Sequence, residues 1–100
     1  MEIEIIDDRS GTAGRYHLIV DDIEMGELDY RDADGRRAFL HTGVRPTYQG
    51  RGLAAELVRR GLRDARARNL KVIPLCSYVE AYIARHPDEA DLVAPAPPTT

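Results

Sequence analysis

One hundred residues and 11.2 kDa fit a single domain and leave no room for a two-domain catalyst, and 43% hydrophobic with 31% charged residues is the composition of a soluble globular chain. Cys76 is the only cysteine and His17, His41 and His86 are scattered, which excludes an internal disulfide and a cysteine-based metal framework, so no metal is expected. The net charge of -3 divides unevenly: residues 1–34 hold eleven acids and three bases, residues 35–85 three acids and eleven bases, which reads either as ordinary solvated surface charge or as a positively biased half that attracts an anionic ligand.

The first half alternates with a period of two. Ile3 and Ile5 share one face of a short strand, Gly11 to Gly14 reads as a turn, and Tyr16, Leu18 and Val20 resume the pattern. Asp21-Asp22 turns the chain into a third strand from Ile23 to Tyr30, with Gly26, Leu28 and Tyr30 on one side. Asp32-Ala33-Asp34-Gly35 signals a hairpin leading to a fourth strand from Ala38 to Val44, and four strands on short turns imply an antiparallel meander. After Val44 the period changes. Leu53, Leu57, Val58, Gly61, Leu62 and Ala65 recur at helical spacing, which predicts a helix from about Gly50 to Arg68 with Asn69 as its C-cap. Lys71 to Leu75 reads as a buried strand, and Ser77 as the N-cap of a second helix that buries Val79, Tyr82 and Ile83 and stops near His86-Pro87. The tail from Ala94 to Thr100 reads as disordered, which places the domain at residues 1–93. No apolar run approaches the roughly 20 residues of a membrane span and Met1 to Glu4 is acidic, so the chain reads as cytoplasmic, with no membrane partner. Overall acidity and the lack of a DNA-binding motif argue against a nucleic-acid partner.

The chemistry-bearing segment is Val44-Arg45-Pro46-Thr47-Tyr48-Gln49-Gly50-Arg51-Gly52-Leu53-Ala54, a strand-to-helix loop whose glycines leave amides open at a helix N-terminus, where phosphates bind. Walker A is disfavoured, because no Lys-Ser/Thr pair follows Gly52. A dinucleotide fingerprint matches Gly50, Gly52 and Ala55, but the next strand ends at Cys76 without an acid for the ribose. Q-x-x-G-x-A is met by Gln49, Gly52 and Ala54.

That last pattern, with Val44 and Pro46 before it and Leu57-Val58 after it, resembles the acetyl-CoA-binding signature of the GNAT superfamily of N-acetyltransferases. Leu40-His41-Thr42, Pro74-Leu75-Cys76 and Tyr82 to Pro87 extend the resemblance to the minimal single-domain branch, over roughly residues 15–93. It implies an α/β (α+β) fold in which a twisted mixed sheet of about five strands, with two helices, opens between its fourth and fifth strands to take the pantetheine of acetyl-CoA. The amides from Gln49 through Gly50, Arg51, Gly52 and Leu53 to Ala54 would hold the pyrophosphate, and the Val44 amide would face the thioester carbonyl. Arg45, Arg51 or Arg59 would reach the 3'-phosphate. Cys76 is the candidate nucleophile, Tyr82 the general acid for the departing thiolate with Tyr78 as the weaker candidate, and His41 the base for the amine. Each has a plain structural role as its alternative. Members of the branch often carry glutamate where this chain has Gly43, which removes one base. The expected activity is transfer of acetyl from acetyl-CoA to a primary amine by a monomer or homodimer. The alternative is a CoA-binding module without efficient turnover.

Overall fold

Strand and helix boundaries follow the change of period. In a computed structural model that describes residues 1–95, the elements are β1 (Ile3–Ser10), β2 (Ala13–Val20), β3 (Ile23–Ala33), β4 (Arg36–Val44), α1 (Leu53–Ala67), β5 (Lys71–Pro74) and α2 (Ser77–Arg85). Short 3-10 turns cover Pro46–Tyr48 and Pro87–Leu92. The strands lie in sequence order. β1 to β4 form the expected antiparallel meander, and β5 joins β4 in parallel, which gives the expected five-stranded mixed sheet.

The alternating apolar residues point where the period placed them. Tyr16, Leu18, Val20, Leu28, Tyr30 and Phe39 are buried on one sheet face against Leu57, Val58, Leu62 and Ala65 of α1 and Val79 and Ile83 of α2. The opposite face carries Arg15, His17, Glu27, Asp29 and His41 and no helix. One charged side chain lies inside. Arg37 is fully buried, with Nε and Nη2 donating to the two carboxylate oxygens of Asp32 at 2.8 and 2.9 Å and Nη1 donating to the Tyr16 hydroxyl at 2.7 Å and the Gly61 carbonyl at 3.3 Å. Its guanidinium lies 3.9 Å from the Tyr30 ring centroid, so an aromatic ring covers one face of the ion while its edge is hydrogen-bonded.

Several boundaries shift for local reasons. The first turn closes at Gly11-Thr12 and β2 resumes at Ala13, because Gly14 belongs to the strand and lies beneath the Tyr30 ring. α1 begins at Leu53 rather than Gly50, since Gly50 and Gly52 have φ of 81° and 75°, outside the helical region. It ends at Ala67 with Arg68 as its C-cap, one residue before the expected cap Asn69, which takes φ 57° so that the Leu70 and Asn69 amides return to Ala65 and Arg66. α2 is capped at Cys76, with Ser77 its first helical residue making no capping bond. The expected disordered tail falls on residues 96–100, which lie outside the described residues, apart from Ala94 and Pro95. The Ala94 amide still bonds the Val72 carbonyl at 2.8 Å.

Two irregularities position the site. In the β3–β4 ladder Asp29 pairs with His41 and Tyr30 with Phe39, so Leu40 is an extra residue without a partner. Such a bulge reverses the inward and outward positions beyond it. Before it Arg37 and Phe39 face the helices; after it Thr42 and Val44 do, opposite Leu28 and Gly26, and His41 and Gly43 turn to the open face. The second irregularity is the short pairing of β5, which meets β4 only from Arg36 to Phe39. The Cys76 amide adds one bond to the Phe39 carbonyl at 3.0 Å before the chain leaves as α2. From Leu40 to Val44, β4 has β3 on one side and a gap on the other.

Candidate active site

The gap between the diverging strands is a cavity of about 510 Å³. Thr42, Gly43 and Val44 form its β4 wall, Tyr78 its α2 wall, and Gln49, Gly50, Gly52, Leu53 and Ala54 its loop and helix wall, with Tyr48 beside them. The loop is held by its own residues. The Tyr48 amide bonds the Arg45 carbonyl at 2.8 Å, and the Gln49 side-chain amide donates to the Val44 carbonyl at 3.0 Å, tying the loop to the end of β4. Gln49 therefore shapes the cradle through its side chain.

The first turn of α1 is open. Gly52 at the cap supplies no side-chain acceptor, and the first intrahelical bond runs from the Glu56 amide to the Gly52 carbonyl at 3.2 Å. The amides of Leu53, Ala54 and Ala55 thus have no intrahelical partner, and the helix dipole adds partial positive charge at the cavity wall. Both glycines carry nothing within 4 Å of where a Cβ would stand, so the cradle is unobstructed. An anion fits this arrangement.

Of the cofactor residues expected from sequence, Val44, Gln49, Gly50, Gly52, Leu53 and Ala54 all line the cavity. Arg51 does not. Its guanidinium lies over the Tyr48 ring, 5.1 Å from the centroid, and it lines a neighbouring groove with Arg59, Arg60, Ile3 and Ile5 that shares Gly52 and Leu53 with the cavity. Arg45 lies in a depression on the open sheet face.

The expected catalytic residues are not brought together. Cys76 sits half-buried at the fork of β4 and β5, its Sγ 3.4 Å from the Thr42 hydroxyl. Burial pushes its thiol pKa up, but hydrogen bonds from the Thr42 hydroxyl and from the amides of Val79, Tyr78 and Thr42 outweigh this and hold it below the ordinary value. Tyr82 is off the cavity wall. It stacks on His86, with ring centroids 3.9 Å apart, and lies in a groove with Arg59, Arg63 and Arg66. The cavity touches only the first turn of α2, so Tyr78 lines it in place of Tyr82, one turn farther along. His86 caps α2 and its Nδ1 meets the Tyr82 carbonyl at 2.8 Å. His41 stands on the open sheet face with a half-exposed side chain, because the bulge at Leu40 turns it away from the cavity. Uninterrupted alternation from Phe39 would have aimed it inward. Thr42 and Tyr48 are wall residues that sequence reasoning did not single out; Thr42 faces inward only because of the bulge, which is seen in the paired strands and not in the sequence. Among the described residues no cluster of three or more His, Cys, Asp or Glu is arranged to hold a metal ion, and no helix is long and apolar enough to cross a membrane.

Comparison with known proteins agrees with this geometry. The solved ribosomal-protein-S18-alanine N-acetyltransferase of Escherichia coli shares the fold at TM-score 0.66 and 12% identity over 78% of this chain, which spans only 54% of that enzyme's length. A GCN5-like protein from Staphylococcus aureus aligns at TM-score 0.68 and 21% identity, over 92% of this chain and 90% of that one. A GNAT family acetyltransferase from Elizabethkingia anophelis, solved with acetyl-CoA bound, aligns at TM-score 0.65 and 13% identity over 83% of this chain and 72% of that one. A search of curated proteins gives no match. A family model described as GCN5-related N-acetyl-transferase matches residues 15–92, the same stretch that holds the sheet from β2 onward, the open helix terminus and the fork at Cys76, and by that match the chain belongs to the GCN5-related N-acetyltransferase family.

Proposed function

We propose that the protein is an acetyl-CoA-dependent N-acetyltransferase that passes an acetyl group to a primary amine. The observation that carries this reading is the uncapped first turn of α1 opening into the gap beside β4 beyond the end of its pairing with β5. Its amides and the Gly50-Gly52 cradle suit the pyrophosphate. The apolar walls of the cavity suit the pantetheine arm, and the adjoining groove of Arg51, Arg59 and Arg60 suits the 3'-phosphate. The acetyl-CoA-bound Elizabethkingia acetyltransferase of the same fold supports the choice of co-substrate.

In this reading the deprotonated amine nitrogen attacks the thioester carbonyl carbon. Charge developing on the carbonyl oxygen is met by the Val44 amide, a preorganised dipole in a partly dry gap. As the C–S bond breaks, the departing thiolate takes the proton of the Tyr78 hydroxyl, which solvent then replaces. One observation favours a second route: the Cys76 thiol, held below its ordinary pKa beside Thr42 at the fork, could accept the acetyl group first.

Calorimetric or thermal-shift titration tests the first requirement. Acetyl-CoA and CoA should stabilise the protein by about 2.7 kcal/mol at 100 times the Kd while NAD and duplex DNA do not, and no response to either CoA ligand overturns the reading. Release of free CoA in the presence of a primary amine separates a transferase from a CoA-binding module. An acetyl adduct in the intact mass that Cys76→Ala abolishes would establish the second route, and its absence during turnover would leave direct attack.

A further inference from the structure

The proposed transfer leaves the amine without a seat or a base, since the three candidate side chains do not meet in the cavity. The geometry points to Glu27, filling the notch left by Gly43, as the residue that receives the acceptor's ammonium group and takes its proton; this rests on the transferase reading above. Glu27 of β3 is the register partner of Gly43 of β4. A Cβ placed on Gly43 would lie 3.0 Å from Glu27 Oε2 and 3.2 Å from His41 Nε2, so the missing side chain is the space into which both groups reach. Glu27 Oε1 and His41 Nε2 are 3.8 Å apart, close enough for a proton to pass outward along the pair.

Among the carboxylates of this sheet face, Glu27 stands apart. Asp29 is engaged by Arg15 at 2.6 Å and Glu24 by His17. Among the described residues no arginine or lysine forms an ion pair with Glu27; its nearest basic partner is His41 at 3.8 Å, while its β2 neighbours His17 and Arg15 are engaged by Glu24 and Asp29. It is also half-buried, with a side chain 29% exposed. The hollow it faces, about 370 Å³ and bordered by Glu24, Glu27, His41 and Arg45, shares Gly43 and Val44 with the acetyl-CoA cavity. The two spaces are therefore opposite sides of one strand's last residues. An amine in the outer hollow stands beside the Val44 amide, where the thioester carbonyl is proposed to lie.

The chemistry follows from the charges. A primary ammonium ion supplies the cation that Glu27 lacks, and two carboxylates against one arginine on the rim favour a cationic amine over an anionic one. Glu27 accepts one ammonium proton and returns it to solvent by way of His41. The freed lone pair forms the C–N bond, the C–S bond breaks with the thiolate taking the Tyr78 proton, and the second nitrogen proton passes to the vacated Glu27 carboxylate as the tetrahedral adduct collapses to the amide. His41 is the relay that positions and discharges Glu27.

The test uses the whole chain, isotopically labelled for amide resonances, and n-butylammonium as the probe. The probe should shift the Glu27, His41 and Gly43 amides in the wild type and leave them unmoved in Glu27→Gln; no shift there, or the same shift in the variant, overturns the assignment. Acetyl-CoA is titrated separately, and failure to shift Gly50 to Ala54 would instead overturn the cofactor reading. With acetyl-CoA and butylamine, Glu27→Ala should lower kcat/KM by about 100-fold. Moving the carboxylate across the ladder in Glu27→Ala/Gly43→Glu should restore it to within about tenfold, which a merely structural Glu27 would not allow. Retention of near-wild-type kcat/KM by Glu27→Ala overturns the assignment, and an unchanged amide spectrum elsewhere shows that each variant is folded.

Discussion

Replacing Arg37 by methionine keeps most of the aliphatic stem and deletes the buried cation. The guanidinium makes four hydrogen bonds, two to Asp32, one to the Tyr16 hydroxyl and one to the Gly61 carbonyl. Removing one partner of a buried ion pair costs about 3–5 kcal/mol, because the other is left uncompensated. Two contacts soften that here. Asp32 keeps Arg9 at 2.9 Å, and the Tyr16 hydroxyl still donates to Asp64 at 2.8 Å. The lower figure therefore applies, about 3 kcal/mol out of a total stability of roughly 5–15 kcal/mol. For a domain of this length that is a fall in Tm of roughly 12 to 24 °C. Urea unfolding followed by far-ultraviolet circular dichroism measures it, with Arg9→Met, whose side chain is partly exposed, as a control expected to lose less than about 1 kcal/mol. A loss of under about 1 kcal/mol in Arg37→Met would refute the reasoning, since the network would then be stabilising nothing that apolar packing does not supply. The consequence reaches the site, because the Arg37 bond to Gly61 ties the β3–β4 hairpin to the helix whose first turn forms the anion cradle.

The same network sets acid stability. Burial pushes Asp32 and Asp64 up, but Arg37 with Arg9 for Asp32, and Tyr16 with Arg60 for Asp64, hold both below the ordinary 3.8. A carboxylate depressed in the folded state adds stability above its unfolded pKa and loses it as pH falls through the folded one, so urea midpoints should hold steady from pH 7 to about 5 and drop below about 4. A pH-independent midpoint down to 3 would contradict this. Gly52→Ala forces an alanine to φ 75°, at about 1–2 kcal/mol of strain, and sets a methyl group in the open cradle. Calorimetry should find acetyl-CoA bound about tenfold more weakly, whereas Gly35→Ala, with similar φ and similar free space in the β3–β4 turn, should lose stability and keep affinity. Thr42→Val removes a donor that lowers the Cys76 pKa, so iodoacetamide should modify Cys76 more slowly at neutral pH, roughly 2- to 10-fold. An unchanged rate would show that the backbone amides of Thr42, Tyr78 and Val79 suffice to lower the thiol pKa.

What was legible in the chain is what local pattern encodes. Tyr16, Leu18, Val20, Leu28 and Tyr30 face the core because a two-residue period survives as long as pairing is regular. The Gln49 to Ala54 loop was legible because its glycines, its position before a helical period and its family motif coincide. Arg37 was not: it occupies an inward position two residues before Phe39, and only its partners on β2, β3 and α1 make a buried cation tolerable there. Nor was the choice between Tyr78 and Tyr82, which share a helix face and differ only in which turn of α2 reaches the fork.

The orientation of His41 shows why the acceptor side is harder to read than the cofactor side. A bulge is a property of two strands in register, and nothing in Ala38 to Val44 alone announces that Leu40 is skipped by the ladder. Once it is skipped, one strand end borders two spaces: Thr42 and Val44 line the inner cavity, while His41 and the empty position of Gly43 open onto the outer face opposite Glu27. A base sought only along β4 is missing at Gly43. Sought across the ladder, a carboxylate stands at the same point in space, supplied by β3. Register fixes which side chains share a site, so a function lost at one position in the sequence can be carried by its cross-strand partner.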